Sequence, residues 1–327
     1  MTGKINIKNR LGIYLYIFFA GLISTVTMRT VACFKDLDFS SGYFDDKGLI
    51  IAANITVVAF MLVLFLHTFS HTVKDSMPKE GFSGSATYIP LGGLAVSVLF
   101  LVIDLISDLW TSSSALTTVP GIVKLVCAIF GLLSIVTFVL NILIESRLSQ
   151  LRGVFSIITV LFFALYSINV YFSTDMPANS PTKILSEFAF LFTAIFFLYE
   201  TRISIGHSKW HSYTAFGLIT TLLLSYTAIP AIIIYVANDG VLLARSTIEL
   251  TACLCLALFI GARTLLIAFA PEDEPCELAD GVMDMVYERQ KKNENSLARE
   301  FILNVENPSE NSDPSAEDKG IAEDHED

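Results

Sequence analysis

Long apolar runs separated by short polar links make up most of the chain. Eight of these runs are close to, or longer than, the roughly 20 residues that a helix needs to cross the hydrocarbon core of a bilayer. The predicted spans are residues 11–33, 48–69, 88–110, 119–144, 153–173, 183–200, 213–236 and 242–270. The pattern therefore predicts an all-α polytopic membrane protein, a bundle of about eight transmembrane helices.

Lysine and arginine are concentrated in alternate links between the predicted spans. Three of them precede the first span, and two lie in each of the links after spans two, four and six. The link after span one holds two lysines, Lys35 and Lys47, among four aspartates, and the links after spans three, five and seven contain no basic residue. Because basic residues in short loops favour the cytoplasmic side, both termini are predicted to be cytoplasmic, with the bundle in the cell membrane. The first apolar run is longer than the core of a signal peptide, so we expect it to remain as a helix.

The formal net charge of −11 belongs to the C-terminal tail rather than to the predicted bundle. Residues 271–327 contain 18 acidic and five basic side chains, which leaves residues 1–270 near neutral. Apolar residues recur at helical spacing within 271–306, which predicts a cytoplasmic amphipathic segment. Residues 307–327 are too polar to bury a core and are predicted to be a disordered acidic tail. The tail is either a solubilising segment or a docking segment for a cytoplasmic protein partner.

A charged phrase occurs twice, as LIESRLS at 143–149 and as LYETRIS at 198–204. Both copies lie at the predicted cytoplasmic ends of spans four and six. Glutamate and arginine two residues apart do not face each other on a helix, so each glutamate needs a cation from elsewhere.

Two interpretations of this repeated phrase remain. One is a crossed clamp between duplicated hairpins, in which Glu145 pairs with Arg202, or Glu200 pairs with Arg147. The other is two separately solvated helix ends. The end of span eight carries Arg263 at the matching position, but the residue two places earlier is glycine rather than glutamate.

Charged residues also lie inside the predicted spans, in the half that the orientation places outside the cell. They are the candidate ligand-binding residues: Asp104, Asp108, Lys124, Lys183, Glu187, Arg245 and Glu249. Charges cost a few kcal/mol at mid-depth and much less near the interface. Arg29 also lies in this half, near the outer end of span one.

Some of these charges have partners of opposite sign on the same helix. Lys183 and Glu187, like Arg245 and Glu249, are four residues apart and are placed to pair. Asp104 and Asp108 share one helix face with the same sign, so that they need a cation from elsewhere, and Lys124 is the nearest in sequence.

Two interpretations of these outer charges remain as well. They form a polar, outward-accessible pocket, or they form a purely structural network of ion pairs. In the first case we expect further lining from Asn54, Asn169, Ser225 and Tyr226, and a helix opened at Pro230.

Four of the five histidines form two pairs, His67 with His71 in HTFSH and His207 with His211 in HSKWH. A spacing of four places two imidazoles on one helix face, which is a common arrangement of metal ligands. Together with ATYIP in span three, these pairs resemble the haemolysin III/progestin-receptor-like zinc hydrolases. The resemblance implies a metal-dependent intramembrane hydrolase.

The chain departs from the pattern of that family at two positions. Val63 stands where the family has a serine, four residues before the histidine of span two, and the aspartate entering the third span is absent. An eighth span is also additional. We therefore expect a structural or interfacial role for the histidines, with metal binding as the alternative.

The sequence contains no nucleotide-binding loop, GxSxG elbow or kinase signature, and nothing in it favours a nucleic-acid partner. The five cysteines form no CxxC pair, so no disulfide framework or zinc site follows from them. No cofactor is expected and no catalytic residue is assigned.

Three classes of function remain. The leading one is a non-catalytic sensor or assembly protein with a polar outward-facing pocket. The second is a small-solute or ion-coupled transporter that uses the outer carboxylates. The third is the intramembrane metal-dependent hydrolase. Beyond the lipid bilayer, the only partner that we expect is a cytoplasmic protein bound through the tail.

Overall fold

The structure is a computed structural model. It describes residues 2–38, 43–70, 85–111, 118–143, 149–173, 180–204, 210–237 and 246–269. Within these ranges the chain forms helices and no strand longer than one isolated bridge, between Leu37 and Phe44. The helices are α1 (Thr2–Asp36), α2 (Lys47–Ser70), α3 (Ser85–Thr111), α4 (Val119–Leu143), α5 (Ser149–Phe172), α6 (Pro181–Ser204), α7 (Trp210–Ala237) and α8 (Thr247–Phe269).

The described helices have the length and hydropathy of membrane spans. Seven of them contain stretches long and apolar enough to cross a membrane, and α5 contains a shorter apolar stretch, Ser156–Phe172. The prediction of an all-α polytopic membrane bundle is therefore confirmed. All eight helices lie in Met1–Pro275, the first of two units into which the chain divides. The predicted amphipathic segment, 271–306, and acidic tail, 307–327, lie outside the described residues.

Local capping explains where two helices begin. Ser180 accepts a hydrogen bond from the backbone N–H of Lys183 at 3.2 Å, and Pro181 follows it as the first residue of α6. Serine at this position and proline directly after it are typical of a helix N-terminus. In the same way, Ser246 accepts the N–H of Glu249 at 3.0 Å, so that α8 begins at Thr247 rather than at the predicted residue 242.

Helix α7 lies at the centre of the bundle. Its membrane-spanning stretch is 83% buried, compared with 61% for that of α8 and 22–39% for the five other described stretches that qualify as spans. It packs against α1, α2, α6 and α8. Its hydroxyl side chains bond to backbone carbonyls one turn earlier, as Thr220 does to Phe216 and Thr221 to Gly217. Several hydroxyls of this sheltered helix are thus satisfied within the helix itself, whereas that of Thr214 has no hydrogen-bond partner among the described residues.

Glycine allows close contact between α7 and α8. A Cβ atom added at Gly217 would overlap the side chain of Thr264, and one added at Gly261 would lie 3.0 Å from Cγ2 of Thr221. Small residues at helix interfaces let backbones approach closely, which is the main source of packing energy inside a membrane. The same device recurs at Gly131 of α4, whose Cβ would overlap Val102 of α3 and approach Phe162 of α5.

A stack of phenylalanine rings connects α5, α6 and α8. Phe163 stacks on Phe197 with 5.1 Å between ring centroids, and Phe197 stacks on Phe259 at 6.1 Å.

The link between α1 and α2 folds back on itself, because Leu37 and Phe44 form an isolated bridge. Leu37 and Phe44 of this link pack against Ile234 of α7 in a small apolar cluster. The link therefore covers the ends of α1 and α7.

Candidate functional site

Buried charged groups lie towards both ends of the bundle. We call the end that contains Glu200 and Arg263 the inner end, because the sequence predicts that it faces the cytoplasm. The opposite end, which contains the candidate ligand-binding residues, is the outer end.

Arg29 is the most unusual charged residue of the outer end. It lies on α1 seven residues before Asp36, which is about 10 Å from the end of the helix. Only 3% of Arg29 is exposed. Its guanidinium carbon lies 4.6 Å from the centroid of the Tyr226 ring on α7, and Nη2 donates a long hydrogen bond of 3.5 Å to Thr182 Oγ1 on α6. Among the described residues, Nε and Nη1 have no hydrogen-bond partner.

Tyr226 connects Arg29 to α2. Its hydroxyl donates to Asn54 Oδ1 at 2.8 Å, so that α1, α7 and α2 are joined by one cation–π contact and one hydrogen bond. Both residues were expected to line a pocket. Asn169, a third such residue, is buried on α5, and its amide has no partner in the described part of the chain.

The expectation that Pro230 opens the backbone of span seven is wrong. Helix α7 is continuous from Trp210 to Ala237, with Pro230 inside it. Proline removes one backbone hydrogen bond, to the residue four places earlier. The neighbours that surround α7 hold it in a helical conformation through this position.

Lys183 is the second buried cation of the outer end. It lies in the first turn of α6, is 6% exposed, and donates from Nζ to the carbonyl of Ser173 at 2.8 Å. It does not form the expected ion pair with Glu187. The reason is geometric, because helical side chains point towards the N-terminus of their helix. Lys183 therefore extends towards the end of α5, away from Glu187.

Two buried acids join α3 to the start of α8. Asp104 is 4% exposed and Glu249 is 2% exposed. The hydroxyl of Ser246 donates to Asp104 Oδ1 and accepts the backbone N–H of Glu249. Neither acid forms an ion pair with Arg29 or Lys183. Arg245 lies outside the described residues, so its pairing with Glu249 stays a prediction.

Asp108 and Lys124 form an ion pair between α3 and α4. Lys124 Nζ lies 3.0 Å from Asp108 Oδ2, and both side chains are partly exposed. Lys124 is the cation that the sequence predicted for this face of α3. The pair is a structural contact that neutralises one of the two aspartates.

The outer charges thus fall into separate groups on different helices. Arg29 and Lys183 flank the start of α6, Asp104 and Glu249 flank the start of α8, and Asp108 and Lys124 neutralise each other. A cavity of about 320 Å³ at the outer end of α3 is lined by other residues, namely Ile103, Ile106, Ser107, Trp110 and Thr111. None of the candidate charges lines that cavity, so the predicted polar pocket stays a prediction.

At the inner end, Glu200 of α6 pairs with Arg263 of α8. Both Nε and Nη2 of Arg263 donate to Glu200 Oε1, at 3.0 and 2.9 Å. The two side chains are 6% and 17% exposed, which makes this a largely buried pair. The sequence placed Arg263 at the matching position of span eight but did not indicate its partner. The signal was its position in span eight, which matches that of the arginines in the repeated phrase.

The crossed clamp stays a prediction. Glu145 and Arg147 both lie outside the described residues. Arg202, the other proposed cation, is exposed, and its guanidinium lies 5.9 Å from the centroid of the Tyr199 ring.

The histidines are only partly described. The His67 ring lies 4.5 Å from that of Tyr14, whose hydroxyl donates to the backbone carbonyl of His67 at 3.1 Å. His211 lies on α7, whereas His71 and His207 are outside the described ranges. Within those ranges, no group of three or more His, Cys, Asp or Glu side chains is arranged to hold a metal ion. A metal site built from both histidine pairs therefore stays a prediction.

The fold defines the chain as a helical polytopic membrane protein. No protein-family model, no curated protein and no solved structure matches it. Its function is therefore inferred from its own residues.

Proposed function

We propose that the chain is a non-catalytic sensor or assembly protein of the cell membrane that binds a charged ligand in the outer half of its bundle. The observation that carries this proposal is the separation of buried charge at the outer end. Arg29 and Lys183 lie beside α6, whereas Asp104 and Glu249 lie between α3 and α8. The two basic residues form no ion pair with the two acids.

This separation supports ligand binding because buried charge is costly unless it is neutralised. The pairs Glu200–Arg263 and Asp108–Lys124 have the arrangement that a purely structural role requires, with opposite charges in direct contact. Arg29 and Lys183 instead lie within the apolar bundle and form no ion pair with any carboxylate of the described residues. Charged residues held in this way inside membrane spans typically belong to ligand or ion sites.

The packing of the inner half favours a sensor over a transporter. Helices α7 and α8 are in close contact through Gly217 and Thr264, and Arg263 and Glu200 connect α8 to α6. Closely packed elements pass a displacement on to their neighbours. A ligand bound at the outer end is thereby coupled to the inner end and to the tail that follows α8.

A transporter is the second candidate, and one observation favours it. Asp104 and Glu249 are buried acids that both bond to Ser246, Asp104 through its carboxylate and Glu249 through its backbone N–H. Buried carboxylates inside membrane spans are typical of proton- and cation-coupled carriers. The two candidates differ in whether the ligand crosses the bilayer.

A single set of measurements tests the proposal. Small molecules of both charge signs are screened against the purified protein in nanodiscs by thermal unfolding, and compounds that raise the Tm are retested on Glu249→Gln and Arg29→Gln. We expect at least one compound whose stabilisation depends on these charges, together with altered amide exchange in residues 277–327 when it binds.

The same compounds then separate the two candidates. In sealed proteoliposomes a labelled ligand of a sensor binds without accumulating, whereas a transporter accumulates it. If the labelled ligand still accumulates after deletion of residues 277–327, the protein is a transporter rather than a sensor. If stabilisation by every compound is unchanged in both charge variants, the outer half is not a ligand site and the proposed function is wrong.

A further inference from the structure

We propose that Arg29 and the first turn of α6 bind an oxyanion, the carboxylate or phosphate group of the ligand. The inference rests on the proposed function, because it names the chemistry that the same outer end recognises. It is carried by the unused donors of Arg29 and by the groups that surround them.

Arg29 has far more hydrogen-bonding capacity than its surroundings use. A guanidinium carries five N–H donors. Among the described residues, Nη2 donates the 3.5 Å bond to Thr182, and the side chains of Cys33 and Tyr226 also lie close to the guanidinium, whereas Nε and Nη1 are buried without a hydrogen-bond partner. Leaving charged donors buried and unpaired costs more than leaving neutral ones, so this arrangement is stable only if something offsets the cost.

The Tyr226 ring offsets part of this cost. Its centroid lies 4.6 Å from the guanidinium carbon, which is a favourable cation–π distance. The ring does not, however, provide a hydrogen-bond acceptor for Nε or Nη1, which have no such partner among the described residues. The contact therefore holds the cation in position and leaves its donors available.

No carboxylate neutralises Arg29 within the described ranges. Asp36 is the acid nearest to it on α1, but it lies two helical turns further on, roughly 10 Å away along the axis. Glu187 on α6 lies one turn beyond Lys183 and forms no ion pair with either cation. The position that a structural partner would occupy is therefore not filled by an acid of this part of the chain.

The start of α6 adds further positive potential. Thr182, which accepts the bond from Arg29, is the second residue of that helix, and Lys183 follows it. The N-terminus of a helix carries partial positive charge, and α6 keeps this charge although Pro181 has no N–H and Ser180 accepts that of Lys183. A guanidinium, a hydroxyl and a helix N-terminus together match the donor set that binds carboxylate or phosphate oxygens.

The shape of the guanidinium favours an oxyanion over a halide. Its planar, forked donors match two oxygens of one group, whereas a single ion engages fewer of them. Lysine at the same position would keep the charge and lose the fork. Arg29→Lys is therefore the variant that tests whether binding needs the forked donors as well as the charge.

The test measures Tm for the full chain in an uncharged detergent. Sodium acetate and inorganic phosphate are titrated against sodium chloride at equal ionic strength. In a second arm, phosphatidic acid is compared with diacylglycerol, which has the same chains without the phosphate. We expect at least one oxyanion probe to raise the Tm, and the arm that does so identifies the source as a soluble anion or a lipid headgroup.

The variants connect the effect to Arg29. Arg29→Gln is expected to weaken the apparent affinity for the probe at least about tenfold, as loss of a charge-assisted contact implies. Arg29→Lys is expected to weaken it less. Arg202→Gln is the matched control, because Arg202 is an exposed arginine at the opposite end of the bundle, and it should leave the response unchanged. Where Arg29→Gln does not fold, Thr182→Val removes a predicted ligand contact and keeps the cation.

Two results overturn the inference. One is a wild-type protein whose Tm responds to no oxyanion more than to chloride. The other is an equal response in wild type, Arg29→Gln and Thr182→Val. Failure of the oxyanion site is distinct from failure of the proposed function. If a ligand still binds in a way that depends on Glu249 and alters the tail, the proposed sensor function stands without the oxyanion site. Conversely, if an oxyanion binds through Arg29 without any effect on the tail, the oxyanion site stands and the proposed sensor function is wrong.

Discussion

Three arginines of this chain show how the surroundings of a side chain decide its role. Arg202 is exposed at a helix end and rests near a tyrosine ring. Arg263 is buried and donates two hydrogen bonds to one carboxylate oxygen. Arg29 is equally buried but contacts a ring and a hydroxyl instead of an acid. The first is suited to the membrane interface and the second to structural pairing, whereas we propose that the third binds a ligand.

The inner ion pair is predicted to stabilise the bundle. Glu200→Gln or Arg263→Gln alone should lower the free energy of unfolding by roughly 3 kcal/mol, because each leaves a buried charge without its partner. The double variant should lose less than the sum of the two, with a coupling energy of about 1–3 kcal/mol. Denaturant unfolding in mixed micelles measures the free energy of unfolding of the wild type, the two single variants and the double variant.

Arg202→Gln is the control for that cycle. Its side chain is exposed and its guanidinium lies 5.9 Å from the Tyr199 ring centroid, so we expect an unfolding free energy close to that of wild type. A clear loss of stability in this variant would instead support the predicted pairing of Arg202 with Glu145. Additive effects of Glu200→Gln and Arg263→Gln would show that the two side chains do not interact in the folded protein.

At the scale of the helices, position in the bundle matters more than hydropathy. Helix α2 has a higher mean hydropathy than α7, 2.8 against 2.0, yet only 22% of its span is buried compared with 83% for α7. Lipid solvates an apolar helix as well as protein does, so hydropathy does not decide which helix lies inside. Small residues that permit close approach, such as Gly217 and Gly261, are the feature that distinguishes the α7–α8 contact.

Gly217→Ala is predicted to destabilise this contact. The new methyl group would overlap Thr264, whose branched side chain has little freedom to move within α8. We expect a loss of about 1–3 kcal/mol, as for other overpacked positions. The loss is measured as a lower Tm or unfolding midpoint of the purified protein.

Gly92→Ala is the matched control on α3. A Cβ there meets nothing within 4 Å, so the substitution should leave stability unchanged or raise it by roughly 0.5–1 kcal/mol through helix propensity. If both alanine variants are equally stable, close packing of α7 on α8 is not a source of stability.

For the whole molecule, the orientation follows from basic residues in the links and is tested by labelling. In a Cys276→Ser background, Ser113→Cys places a thiol in the predicted outer link after α3, and Ser309→Cys places one in the predicted inner tail. A membrane-impermeant maleimide applied to intact cells should label the first, and should label the second only after lysis.

The remaining native cysteines give a low background in that assay. Cys33, Cys127 and Cys253 are buried, and Cys255 is only partly exposed. Labelling of Ser309→Cys in intact cells, with Ser113→Cys protected, would reverse the orientation and place the Arg29 site on the cytoplasmic side.

The helices could be predicted from the sequence because hydropathy is a local property. Each predicted span overlaps a helix, and the differences are confined to the ends, where single capping residues such as Ser246 decide the boundary. Part of the charge pattern was also local enough to predict. Lys124 and Asp108 are 16 positions apart across one short link, and they do pair.

The remaining contacts depended on which helices are neighbours, which local patterns do not encode. Glu200 and Arg263 are 63 positions apart, Arg29 and Thr182 are 153 apart, and Asn54 and Tyr226 are 172 apart. The sequence by itself therefore determined the spans, the predicted orientation and the presence of costly charges. Only the tertiary structure decided that α7 lies at the centre, that Arg263 neutralises Glu200 and that Arg29 lies beside the start of α6, because these are contacts between helices whose order in space is set by packing.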